Sequence, residues 1–286
     1  MWRKVDEERE QTRSSEVQIR NSILASTLSQ EKLNHWKVEP NHEAFLSIGG
    51  QVGRSMLISW VVDECTKQKL KPSTICLAVN YLDRMISKGC VTLDSSQSFA
   101  CTCIRLAIKF DGVGGNGMHV PTFGEAVPSA KMELFVLDHL NWKMNVPTVH
   151  LFLKLFSDEV WLPPPSRDRA FEYVKRIFVY VESQMFNPSA LAMICIFLLQ
   201  QDDLLPLPCE ALSTALVREG KVDLDQVSDG FKRFRHVCFS PYCSHIQDRA
   251  DDRTRNEDDD DSSSATAYPE SMSSQSSGDL EFRHQA

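Results

Sequence analysis

Ile75-Cys-Leu-Ala-Val-Asn-Tyr-Leu-Asp-Arg-Met-Ile-Ser87 is the stretch on which the fold turns. Its apolar residues Ile75, Ala78, Val79, Leu82, Met85 and Ile86 recur every three or four positions, which is the spacing of an amphipathic helix. Asp83 and Arg84 stand between Leu82 and Met85, so charge is pressed against a stripe that faces the core. A carboxylate buried there is costly unless a cation meets it. Arg54 lies in the preceding helical segment, just ahead of Met56-Leu-Ile-Ser-Trp-Val-Val-Asp63. An Arg54–Asp83 ion pair between two packed helices is the economical arrangement.

Working outward, helical patterns fall near 53–68, 73–88, 95–110, 129–141, 147–157, 166–185, 188–201, 207–219 and 222–237, with a poor one around 121–127. Phe99, Cys101, Cys103, Ile104, Leu106, Ala107, Ile108 and Phe110 leave the 95–110 helix almost no polar face, and Ala190 to Leu199 is again apolar all round. A short helix of that kind is buried on every side. The two such helices predict two five-helix modules in tandem, each wrapped on one buried helix, the second divergent in sequence. No strand pattern competes, so the expected class is all-α. Upstream, residues 1–14 are charged and expected to fray, a helix is expected from Ser15 to Leu33, and a looser segment runs through Pro40 and Gly49-Gly50. The expected partition is an N-terminal extension with a helix (1–52), a first module (53–146), a second (147–246) and a tail (247–286).

Charge narrows the function classes. Of the net −8, residues 247–286 carry −7, from eleven Asp/Glu against four Arg, and the body is left nearly neutral. A body without a basic face argues against nucleic acid as a partner. The tail holds Glu257-Asp-Asp-Asp-Asp261 and a serine cluster, with too little apolar surface to fold, so it is expected to be disordered. Nine cysteines without a secretory leader suit a reducing compartment. Ala190–Leu199, the longest apolar run, is too short to span a bilayer. A chain of nucleus and cytoplasm, without a membrane partner, is expected.

With these residues in view, Arg54-x-x-Leu57-x-x-Trp60 followed by Leu77-Ala-Val-Asn-Tyr-Leu-Asp-Arg84 resembles the first half of a cyclin box. Ala107-x-Lys109-Phe110, then Met132-Glu-Leu-x-Val-Leu-x-x-Leu-x-Trp-x-Met144 and Pro147-Thr148, is similar to cyclins through the end of that box. The likeness covers about 15–240, rich in motifs from 53 to 148 and architectural afterwards. Ser59 before Trp60, the Asn-Tyr-Leu-Asp-Arg string and Leu140-x-Trp142 look most like D-type cyclins, although the Leu-x-Cys-x-Glu signature of many D-type members is absent.

Read from the residues alone, Lys109 and Glu133 complement their helix dipoles, a cation in a last turn and an anion in a first. The resemblance implies more, because the matching Lys and Glu of cyclins hydrogen-bond a cyclin-dependent kinase. Leu137, one turn from Glu133, would flank them together with Phe110 and Trp142, giving a charged pair ringed by apolar groups. Met56, Leu57, Trp60, Asp63 and Gln97 read as core packing and a solvated face. Cyclins use the matching positions as a shallow groove for Arg-x-Leu peptides of substrates and inhibitors, and here Gly53 replaces the methionine that usually opens the motif. The implied function is regulatory. Such a subunit carries no chemistry, but binds and activates a Ser/Thr kinase by favouring one of its conformations, at the G1/S transition. The alternative is a divergent scaffold or transcription-associated protein on the same fold.

Two further patterns carry less. Gly112-Val-Gly114-Gly-Asn-Gly117 has the letters of a dinucleotide loop, but a buried helix precedes it where a strand is needed. His236-x-Cys238-x4-Cys243-x-His245 offers four soft ligands for zinc in a short stretch that also reads as a helix end with incidental side chains. No nucleophile elbow, His-Glu-x-x-His or phosphate-cradling loop is present, so no enzyme, metal or cofactor is expected.

Overall fold

Ten α-helices and one 3-10 turn, with no strand, make up the described residues of the computed structural model, which are 2–33, 36–38, 41–112, 129–160, 162–202 and 222–239. Residues Met1–Ser240 form one compact unit, and Pro241–Ala286 are a separate one outside the described residues. The tail therefore lies outside them, as do the helices expected at 121–127 and 207–219 and the glycine loop from Val113 onward.

Helix α1 runs from Trp2 to Lys32, so the expectation of frayed residues 1–14 is corrected. Glu, Lys, Arg and Gln dominate that segment, and all of them favour helix. Among its described side chains, Leu24, Thr27 and Glu31 are buried. The segment expected to be loose contains a short helix, α2 (His42–Ser47), whose N-terminus is capped by the Asn41 side chain accepting from Ala44 N at 3.1 Å.

The first module is α3 (Gly50–Lys67), α4 (Pro72–Ser87), α5 (Ser96–Asp111) and α6 (Ala130–His139). The expected buried helix, α5, packs against α3, α4 and α6. Helix α4 is more enclosed still, with Thr74–Val79 and Tyr81–Ile86 all buried. Its pattern looks amphipathic because three of the positions on its polar side, Tyr81, Asp83 and Arg84, are polar residues with buried partners. Helix α3 starts three residues before the expected Gly53. Its first turn presses on α2, and a Cβ at Gly53 would lie 1.7 Å from the Ile48 carbonyl oxygen. The glycine in the methionine position therefore has a packing cause.

The second module is α7 (Val149–Glu159), α8 (Pro164–Phe178), a 3-10 turn (Val181–Met185), α9 (Pro188–Gln201) and α10 (Leu224–Phe239). Thr148 caps α7 by accepting from Leu151 N at 3.2 Å. Helix α9 is buried from Pro188 to Ile196 and packs on α7, α8 and α10, as its all-apolar sequence predicts. The single helix expected over 166–185 is instead α8 and the 3-10 turn. The break follows from a distant partner: the carbonyls of Phe178 and Val179 accept from Arg54, and Val179 also from Ser55. Among the described residues no helix is long and apolar enough to cross a membrane.

A candidate partner-docking face

Arg54 organises the interior. Its Nε donates to Asp83 Oδ1 at 2.8 Å and Nη2 to Oδ2 at 2.7 Å, the two-pronged pairing that suits a guanidinium and a carboxylate. Its remaining nitrogen, Nη1, donates to Phe178 O at 3.0 Å and Val179 O at 3.3 Å. One side chain, 0% exposed, thus ties α3 to α4 and both to the end of α8. The ion pair is as expected from the sequence, and the bridge to the second module was not.

Arg84 turns away from Asp83 and toward α6. Its Nη1 and Nη2 donate to Lys143 O at 2.9 Å and Leu140 O at 3.0 Å, and burial pushes its guanidinium below the ordinary value. Between those carbonyls, Asn141 and Trp142 sit in left-handed backbone, with φ of 53° and 58°. That conformation is strained for a tryptophan. It is held by Trp142 N donating to Leu137 O at 2.9 Å and by the indole Nε1 donating to Asp138 Oδ1 at 3.0 Å. The outcome is an indole 61% exposed on a fixed turn.

Lys109 of α5 and Glu133 of α6 meet across the two helices. The Lys109 Nζ donates to Glu133 Oε1 at 2.8 Å and Oε2 at 2.6 Å. Ser129, which caps α6 by accepting from Met132 N at 3.2 Å, fixes the turn that carries Glu133. Arg105, one turn before Lys109 on α5, brings its Nε within 3.2 Å of Glu133 Oε1. Asp111, the acidic residue after Lys109-Phe110, points inward, where its Oδ2 accepts from Ser73 at 2.7 Å and Thr74 at 2.6 Å in the first turn of α4. Phe110 and Leu134 are exposed beside this cluster in sequence, while Leu137 is half-buried against the core.

On α3, Met56 and Asp63 are exposed and Leu57 and Trp60 are half-buried against the core, while Gln97 is exposed at the start of the neighbouring α5. Of the four soft ligands near the C-terminus, Cys243 and His245 lie outside the described residues. Cys238 is buried, with its carbonyl accepting from Arg176 at 2.8 Å. Among the described residues no three His, Cys, Asp or Glu come close enough to hold a metal.

Residues 23–145 match the family of the cyclin N-terminal domain. This segment, a little under half of the chain, is similar to cyclin domains. It spans the end of α1 through the Trp142 turn, so Arg54, Asp83, Arg84, Arg105, Lys109 and Glu133 all fall inside it. Cyclin-D of Ostreococcus tauri is 33% identical over 113 residues, 36% of this chain and 29% of that protein. Cyclin-A1-2 of Arabidopsis thaliana is 31% identical over 110 residues, 36% of this chain and 24% of the relative. Cyclin-B2-2 of Oryza sativa subsp. indica is 25% identical over 173 residues, 57% of this chain and 40% of the relative. The matches thus cover a minor part of each relative's length and reach D, A and B types alike. The fold extends further than the sequence likeness: a viral cyclin from herpesvirus saimiri superposes with a TM-score of 0.58 at 16% identity, covering 76% of this chain and 99% of the other. Both helical modules therefore belong to the cyclin fold.

Proposed function

We propose that this chain is a regulatory subunit that binds a cyclin-dependent protein kinase through the Lys109–Glu133 face. One observation carries the reading: an ion pair on the surface of the cyclin-like segment, its carboxylate largely shielded, beside exposed Phe110 and Leu134. An apolar surround that excludes water from a central polar anchor is the anatomy of a binding hot spot. The chain would act by binding one conformation of the kinase more tightly than the other, shifting its population toward the active state. Lys109 and Glu133 would anchor the kinase helix that supplies the Glu partner of the ATP-positioning lysine. A D-type role at the G1/S transition, in nucleus and cytoplasm, is the finer form of this proposal and rests on the motif likeness. Met56, Leu57, Trp60, Asp63 and Gln97 would form the accessory groove for Arg-x-Leu peptides.

The test is Lys109→Ala combined with Glu133→Ala, assayed by pull-down and activation against a panel of purified cyclin-dependent kinases. Loss of a desolvated charge pair at an interface costs about 2–5 kcal/mol, or roughly 30-fold to several thousand-fold in affinity. Binding should be lost while the melting temperature stays near that of wild type. Equal retention of kinase by the double variant would leave a cyclin-fold scaffold without this docking mode.

A further inference from the structure

Arg105 sits where the docking reading needs no charge. It shares one face of α5 with Lys109, four residues on, and like charges at that spacing repel. Both cations are gathered on the single carboxylate of Glu133. Lys109 takes both of its oxygens at hydrogen-bond distance. Arg105 has only the 3.2 Å ionic approach of Nε, which is buried and finds no aligned acceptor. The neighbouring carboxylates are engaged elsewhere, Asp111 with Ser73 and Thr74, Asp138 with the Trp142 indole. Among the described residues, two cations and one anion leave the cluster one positive charge in excess.

We infer that Arg105 is a specificity determinant of this face and receives an Asp or Glu side chain of the docked protein. The inference rests on the docking reading above and adds the chemistry of the partner. Its side chain is 24% exposed, and Glu133 approaches only its Nε, which leaves the two terminal nitrogens of the guanidinium for a partner. When a partner covers Phe110 and Leu134, the excess cation loses water. An uncompensated charge in that position opposes binding, so the surface favours a partner that brings a carboxylate and rejects one that brings Lys, Arg or an apolar group. Arginine suits this role because its planar fork pairs a carboxylate through two parallel bonds.

The experiment uses the full chain with the purified kinase of the panel that wild type binds best, comparing wild type with Arg105→Gln and Arg105→Glu at low and high salt, each checked by thermal melting. Arg105→Gln should weaken binding by about 10- to 100-fold and flatten its salt dependence, with Lys109 and Glu133 still paired and melting little changed. Arg105→Glu should abolish binding, and reversing the facing kinase carboxylate to Lys should restore it. Unchanged affinity and salt slope for Arg105→Gln, with binding still lost in the Lys109/Glu133 double variant, would overturn the role of Arg105 and leave the docking reading standing. Failure of wild type to bind any kinase of the panel would overturn both.

Discussion

Arg54 and Arg84 show how single side chains replace what a small helical module lacks. Arg54 meets four acceptors with its five N–H groups, two from a carboxylate and two from the frayed end of α8. Removing it leaves Asp83, 4% exposed, without a cation and two carbonyls without donors. Breaking a buried pair in this way costs about 3–5 kcal/mol. Arg54→Ala should therefore lower the melting temperature by roughly 6–20 °C, using about 2–4 °C per kcal/mol for a chain of this size. Arg54→Lys should rescue little, because an ammonium cannot span Asp83 and the Phe178 carbonyl together. Kinase binding, if present, should fall only as the protein unfolds. A variant that melts like wild type yet loses binding would move Arg54 from the interior to the interface.

At the scale of helices, what could be read from sequence depended on where the cause lay. Gly53 illustrates the hidden kind, because the reason for a glycine is the Ile48 carbonyl and not any local pattern. Gly53→Ala should destabilise by about 1–3 kcal/mol in urea unfolding, and Gly53→Met by little more, since the clash arises at Cβ and is with backbone. A neutral Gly53→Ala would show that α2 can move aside. Helix α9 was legible because ten apolar residues in a row admit no solvent face. The end of α8 was not, since its carbonyls are taken by a side chain more than a hundred residues away. Nor was the full length of α1, where charge reads equally as frayed chain or solvated helix. At the candidate site, Lys109 and Glu133 stood out by motif, while no motif singled out Arg105. The inward turn of Asp111 has no local signal either, because its partners Ser73 and Thr74 start a different helix.

Across the molecule, α1 is tied to the second module by two polar links. Arg20 reaches Glu159 at 2.9 Å and the Asp158 carbonyl at 3.3 Å, and Glu31 reaches the start of α9. The Glu31 carboxylate accepts from Ser189 N at 2.8 Å and Ser189 Oγ at 2.7 Å, so it fills the acceptor role that the first turn of α9 requires. Its environment pulls two ways. Burial pushes the carboxyl above its ordinary value of 4.5, while the Ser189 bonds and Lys32 pull it down, and burial prevails. A carboxyl raised on folding binds its proton more tightly in the folded chain than in the unfolded one. The stability it contributes is then fully present below about 4.5 and is lost as pH rises through the raised folded value. Glu31→Gln removes this titration and keeps an acceptor for Ser189. In urea unfolding followed from pH 4 to 8, wild type should lose stability relative to Glu31→Gln as the pH rises, with the difference levelling off once Glu31 is ionised in the folded state. Taking the difference between the two proteins cancels every other group that titrates in the same range. Parallel curves would mean that the Ser189 bonds offset burial completely, and the joint between α1 and α9 would then be insensitive to pH.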